Sequence, residues 1–219
     1  MGRLVLMDLD DTLINRSDAV TAWAADFSID RNLSTEHAQT LTEALRERAL
    51  PKTFEALRTV LGLADSAAEL WDAYVVGLAA KVRCDPAVLA RLDLLRAAGW
   101  SVGVLTNGAT DIQRAKLTTA GILDHVDAVC ISEEAGARKP EPEVFRTAAA
   151  RCGFVLPADA WMVGDNPMTD IAGASAAGLR TVWVSAGSTW ATPGLVPDHI
   201  SPTVMEAVDF LLGRPESTR

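Results

Sequence analysis

The chain has 219 residues, 49% hydrophobic and 22% charged, which fits a soluble globular protein with room for one core domain plus a smaller insert. A net charge of −9 argues against nonspecific binding to nucleic acid or to an anionic membrane, so an anionic substrate would need a local positive site. Cys84, Cys130 and Cys152 form no CxxC pair, which argues against a zinc site or a disulfide framework and points to a reducing compartment. With no apolar stretch near the ~20 residues that span a bilayer and no secretory leader pattern, the expected location is cytoplasmic.

The first apolar run, Leu4-Val5-Leu6-Met7, predicts a buried strand of a parallel sheet, ending in Asp8-Leu9-Asp10-Asp11. Crowded like charges are costly to bury unless a cation neutralises them, and a hard divalent ion prefers oxygen ligands. A metal beside Asp8 and Asp10 is therefore one reading. A strand followed by an ordinary acidic turn is the other. From Asn15 to about Cys84 the pattern is helical throughout. Val20, Trp23, Ala24 and Phe27 share one face of a helix over 18–29. Ser34 is placed to cap a second helix carrying Ala38, Leu41 and Leu45, and Pro51 to open a third carrying Phe54, Leu57 and Leu61. Ser66 and Glu69 form a capping box before Leu70, Trp71, Tyr74, Val75 and Leu78. About four short-linked amphipathic helices read as a small inserted bundle, residues 15–84, with crossings near 14–17 and 81–85 as hinges.

Beyond residue 85, helices and strands alternate. A helix from Asp85-Pro86 to Gly99 precedes a strand from Trp100 to Leu105, which ends in Thr106-Asn107-Gly108. A helix over 110–120, a strand over 126–132 and a helix over 140–152 follow. A short strand, Trp161-Met162-Val163, ends in Gly164-Asp165. A small-residue helix over 170–177, a strand over 180–184, a Pro- and Gly-rich loop over 187–202 and a closing helix around 204–211 complete the pattern. Residues 214–219 read as a frayed tail. Five apolar strands separated by helices predict an α/β fold, a doubly wound parallel sheet of Rossmann-like type formed by residues 1–14 and 85–219.

In such a sheet the strand ends lie along one edge. They would bring together Asp8, Asp10, Thr106, Asn107, Arg138, Lys139, Asp165 and Asp170, a set of oxygens, one lysine and free N–H groups that suits Mg²⁺ and a phosphoryl group. Taken singly, Lys139 also reads as a solvated loop residue, Thr106 as a strand-end cap, and Asp170 as a residue favoring a helix start. Thr12 reads as a local loop bond or a passive residue, and Trp190 as a lid or surface residue.

Four motifs in order carry a resemblance: Asp8-Leu9-Asp10-Asp11-Thr12-Leu13, Leu105-Thr106-Asn107-Gly108, Arg138-Lys139-Pro140-Glu141-Pro142 with Phe145, and Gly164-Asp165 through Asp170. Together they resemble the haloacid dehalogenase superfamily in its phosphatase branch, whose helical cap is inserted after the first strand. The resemblance implies that Asp8 is the nucleophile forming an aspartyl-phosphate, and that Asp10 is the general acid and then the base. It implies that Thr106 and the N–H of Asn107 bind phosphoryl oxygens, and that Lys139 neutralises the nucleophile. Mg²⁺ would be held by Asp8, the backbone carbonyl of Asp10, and Asp165, with Asp170 orienting Lys139 or a metal-bound water. The implied substrate is a small phosphorylated metabolite, met by a monomer or homodimer that engages neither nucleic acid nor membrane. A phosphomutase, a dehalogenase and a catalytically silent binding protein are the competing readings. Asp10 argues against the dehalogenase, because halide leaves without a proton. Arg16 and Ser17 lie near the site by connectivity, and Arg46, Arg48 and Lys52 either recognise a second anionic group or form a solvated face.

Overall fold

The computed structural model describes residues 2–46 and 49–213, so Arg48 and the tail 214–219 lie outside the described residues. Strand β1 (Arg3–Met7) leads into helices α1 (Arg16–Asp30), α2 (Thr35–Arg46), α3 (Pro51–Val60) and α4 (Ala67–Lys81). Then come α5 (Pro86–Ala97), β2 (Trp100–Thr106), α6 (Thr110–Thr119), β3 (Ala128–Ile131), the single turn α7 (Ser132–Ala135) and α8 (Pro142–Arg151). Strand β4 (Ala160–Gly164), a short α9 (Gly173–Ala176), β5 (Arg180–Val184), β6 (His199–Ser201) and α10 (Val204–Leu211) close the chain.

The strands form one parallel sheet in the order β3-β2-β1-β4-β5-β6. The chain winds outward from β1 in both directions, which makes the C-terminal end of β1 the switch point where α/β sheets open a crevice. Alternation along β1 explains its burial on both faces. Val5 and Met7 join a core with Leu92, Leu95 and Val208, while Leu4 and Leu6 join Val144, Phe145, Ala148 and Met162 on the other side. Each such side chain contributes about 1.5–3 kcal/mol of apolar burial.

The first of these cores runs without a break into α1–α4. Trp23, Phe27, Phe54, Trp71 and Tyr74 form a chain of ring contacts there, with centroids 4.8 to 5.8 Å apart. Ser66 caps α4 as its spacing predicts: its hydroxyl accepts from Glu69 N–H at 3.2 Å, and the Glu69 carboxylate accepts from Ser66 N–H at 2.8 Å. Ser34 likewise accepts from His37 N–H at 3.2 Å.

Four expectations need correction. The sheet has a sixth strand, β6, inside the stretch read as loop. Its segment His-Ile-Ser carries one apolar side chain, and Ile200 is 46% exposed at the sheet edge, so no apolar run marks it. Strand β3 is shorter than 126–132. A 3₁₀ turn over Leu123–His125 precedes it, and Ser132 already starts α7. The helix expected over 140–152 begins at Pro142, which occupies its first turn. The helix over 170–177 is instead a wide π-helical turn, Pro167–Ala172, followed by α9. There the Asn166 side chain accepts from the N–H groups of Met168 and Thr169 and starts the turn earlier.

Candidate active site

The C-terminal sheet edge opens into a cavity of about 240 Å³ beneath α1 and α4. Asp8, Asp10, Thr106, Asn107, Lys139, Asp165 and Asp170 all line it, so every candidate residue reaches the same space. They divide between two walls.

On the first wall Lys139, 2% exposed, donates from Nζ to Asp8 Oδ1 at 2.5 Å and to Asp170 Oδ1 at 2.7 Å. Asn107 fixes the backbone of that lysine. Its Nδ2 donates to the Lys139 carbonyl and its Oδ1 accepts from the Lys139 N–H, both at 2.9 Å. Gly164 leaves room for Asp170, because a Cβ there would stand 2.4 Å from Asp170 Oδ2. Asp165 accepts from the Thr12 hydroxyl at 3.3 Å, and its carbonyl accepts from Trp183 Nε1 at 2.6 Å. The Thr12 hydroxyl therefore reaches across to the end of β4 while its N–H donates to the Leu9 carbonyl within its own loop, and Trp183 is tied to the site as well as to the core.

Asp8, Asp165 and Asp170 each place a carboxylate oxygen within 4.8 Å of the others. Burial raises the Asp8 carboxyl well above its usual range; Lys139 opposes this, and repulsion from Asp170 and Asp165 adds to it. Asp165 is pushed up to about 7, first by burial and then by Asp170 and Asp11. Burial works against charge on Lys139, but Asp170 and Asp8 more than offset it and hold the ammonium above its usual range. Three carboxylates thus face a single ammonium, and every donor is a hard oxygen. This set fits a divalent cation such as Mg²⁺.

The second wall is built differently. Asp10 turns its carboxylate away from that cluster, toward α6. Lys116 Nζ lies 2.8 and 3.1 Å from the two Asp10 oxygens, and Gln113 Nε2 donates to Asp10 Oδ2 at 3.1 Å. Burial alone would raise the Asp10 carboxyl, but the charges of Lys116 and Arg16 overcome it and hold the group below the usual carboxylate range. Asp170, not the Asp10 side chain, completes the carboxylate cluster. That geometry leaves only the backbone carbonyl of Asp10 for the metal-ligand place given to this residue above. Gln113 and Lys116 were not singled out from the sequence. Their signal was available: two polar residues three apart, the first in the opening turn of α6, on the face that α6 buries.

Arg16, 8% exposed, roofs the cavity and donates to the carbonyls of Leu45 at 3.0 Å and Arg46 at 2.9 Å. Tyr74 and Ala49 stand beside it, and burial pushes the Tyr74 phenol up to about 12. Ser17 serves Asp11 instead: its N–H and hydroxyl both donate to the Asp11 carboxylate, at 2.7 and 2.6 Å. Asp11 has φ 58°, the turn geometry its position implies. Trp71 Nε1 donates to Asp111 Oδ2 at 2.6 Å and ties α4 to α6, while Arg83 N–H donates to Asn15 Oδ1 at 2.9 Å and joins the two chain crossings. Trp190 lies half-buried against Trp183, with its Nε1 on the Leu195 carbonyl at 2.9 Å. Cys84, Cys130 and Cys152 are free thiols. Among the described residues no helix is long and apolar enough to cross a membrane.

This sheet with its acidic switch point defines a class of hydrolase. The haloacid dehalogenase-like hydrolase family matches residues 3–178, and the chain belongs to it. A glyceraldehyde 3-phosphate phosphatase of Methanopyrus kandleri is 35% identical over 202 residues, covering 85% of each chain. A phosphoserine phosphatase of Thermus thermophilus is 45% identical over 113 residues, which is 52% of this chain and 45% of that protein's length. A haloacid dehalogenase-family phosphatase from Thermococcus onnurineus has a solved structure with 27% identity and a TM-score of 0.71, covering 97% of this chain and 99% of its own.

Proposed function

We propose that the protein is a Mg²⁺-dependent phosphomonoester hydrolase acting on a small phosphorylated metabolite. The observation that carries this reading is the pairing of walls. One is a carboxylate cluster short of positive charge around Asp8, and the other an isolated acid, Asp10, across a cavity of about 240 Å³. The phosphatase names of both sequence relatives support it.

In this reading Asp8 attacks phosphorus, its oxygen freed as Lys139 shares itself with Asp170. The phosphorus–oxygen bond to the alcohol breaks, and the departing alkoxide takes its proton from the protonated form of Asp10, a minority form because Lys116 and Arg16 favor the carboxylate. Asp10 then accepts a proton from water, which attacks the aspartyl-phosphate; the bond to Asp8 breaks and phosphate leaves. Thr106 and the N–H of Asn107 hold the phosphoryl oxygens, and Lys139 offsets their growing charge. Asp8, Asp165 and the Asp10 carbonyl would hold Mg²⁺, with Asp170 beside them; when bound, the ion screens the repulsion between nucleophile and phosphate. Residues 15–84 act as a cap over the 1–14 and 85–219 core, which restricts the substrate to small molecules and shuts water out during transfer.

The test is phosphate release from a panel of phosphorylated metabolites, chosen from short sugar phosphates, phosphorylated hydroxy acids and nucleotides, with and without Mg²⁺. Turnover of at least one compact member, dependent on Mg²⁺ and absent in Asp8→Asn, is expected. No turnover on any compound would favor a binding protein instead.

A further inference from the structure

Lys116 is 2% exposed, on a helix that contributes nothing else charged to the cavity, and the chemistry above leaves it without a task. Its three donors are all engaged: both Asp10 oxygens and Gln113 Oε1, the last at 2.8 Å. Gln113, 1% exposed, is bonded just as fully. Its Nε2 donates to Asp10 Oδ2 at 3.1 Å and to Thr106 Oγ1 at 2.5 Å. Because Thr106 Oγ1 accepts from Gln113, its own proton is directed elsewhere, and no described residue takes it. Gly108 makes the arrangement possible, since a Cβ there would stand 2.4 Å from Gln113 Cγ.

We propose that Lys116 is a positioning residue that aims Asp10 at the leaving oxygen of the substrate and, through Gln113, holds that aim in register with Thr106. The inference rests on the hydrolase reading above. Its chemistry is geometric. Two donors on one helical turn grip both oxygens of a single carboxylate, so Asp10 cannot swing toward the Asp8 cluster, where a free carboxylate would be drawn to any bound cation. The same amide fixes the hydroxyl that faces the phosphoryl group. The distance between the acid and the phosphate site is therefore set by α6 rather than by the loop after β1. A buried ion pair with no such duty would stabilise the fold and leave the balance between substrates untouched.

The experiment compares kcat/KM for two esters in Mg²⁺: an alkyl phosphate that the wild type turns over, and p-nitrophenyl phosphate. This parameter covers the steps through departure of the alcohol, and p-nitrophenolate departs without a proton. Lys116→Met is expected to lower kcat/KM for the alkyl ester by about 10²-fold while lowering the aryl ester by less than about fivefold. Lys116→Arg, which returns a cation with a different reach, recovers part of the alkyl-ester loss. If Lys116→Met does not melt cooperatively, Lys116→Arg carries the test, with a smaller loss and the same split. Equal loss on both esters, or none on either, overturns the inference. A wild type that turns over no member of the metabolite panel in Mg²⁺ overturns the hydrolase reading, and this inference falls with it.

Discussion

The two buried lysines of the cavity look alike in sequence and do opposite electrostatic work. Lys139 stands between Asp8 and Asp170 with Asp165 close by, so its wall carries more negative charge than it can balance. Lys116 faces one carboxylate, Asp10, and completes its coordination with the neutral amide of Gln113. The first wall is left short of a cation and the second is not. Each is cut close by a glycine, Gly164 beside Asp170 and Gly108 beside Gln113, so both lysines are placed by backbone as much as by side chain. A site that must recruit an ion and a site that must hold an acid still are distinguished here by their charge balance.

Breaking the first wall should have the largest effect. Asp8→Asn keeps the shape and removes the attacking oxygen's charge, and turnover should fall by at least about 10⁴-fold while the thermal melt stays cooperative. Retained phosphatase activity in that variant would remove Asp8 from the mechanism. Stripping Mg²⁺ with a chelator should take activity to background and re-addition should restore it, whereas a chelator-insensitive enzyme would rule out the metal.

Stability sharpens the contrast between the lysines. Lys139→Met strands the buried carboxylates of Asp8 and Asp170 and should cost about 3–5 kcal/mol in chelator. Lys116→Met strands only Asp10, whose side chain is 22% exposed and can take water, and should cost about 1–3 kcal/mol. Denaturant melts of both variants, with and without Mg²⁺, measure this. Added Mg²⁺ should recover part of the Lys139 loss and little of the Lys116 loss. The smallest effect is expected at the tie between α4 and α6. Asp111→Asn weakens the bond from Trp71 and should cost about 1 kcal/mol, read from the same melts.

The first wall was legible in the sequence because Asp8 and Asp165 directly follow apolar strands, while Lys139 and Asp170 lie in the connections that leave them. Met7 pairs with Val104 and Val163, so the residues that follow each strand had to meet. On the second wall Asp10 was legible in the same way, but its partners were not, because Gln113 and Lys116 sit inside a helix, where polar residues usually face water. Only the packing of α6 turns them inward. The sheet shows the same split. Five strands announce themselves as apolar runs, while β6 is recruited by pairing Val182 with His199 and Val184 with Ser201, and carries almost no pattern of its own. The turn at Pro167–Ala172 escapes a reading by periodicity for a related reason. Small residues such as Ala172, Gly173 and Ala174 permit several helical pitches, and the Asn166 side chain and the needs of Asp170 select one.

In the proposed mechanism Asp8 carries the phosphoryl group and Asp10 releases it. The most direct test is to mix Asp10→Asn with p-nitrophenyl phosphate and Mg²⁺, quench in acid, and map the protein by mass spectrometry. The leaving group needs no acid, so the first transfer should proceed and the second should stall. One added phosphoryl group, on Asp8, in near-stoichiometric amount, is expected. An unmodified protein that still releases p-nitrophenolate, or a phosphoryl group found on another residue, would contradict it.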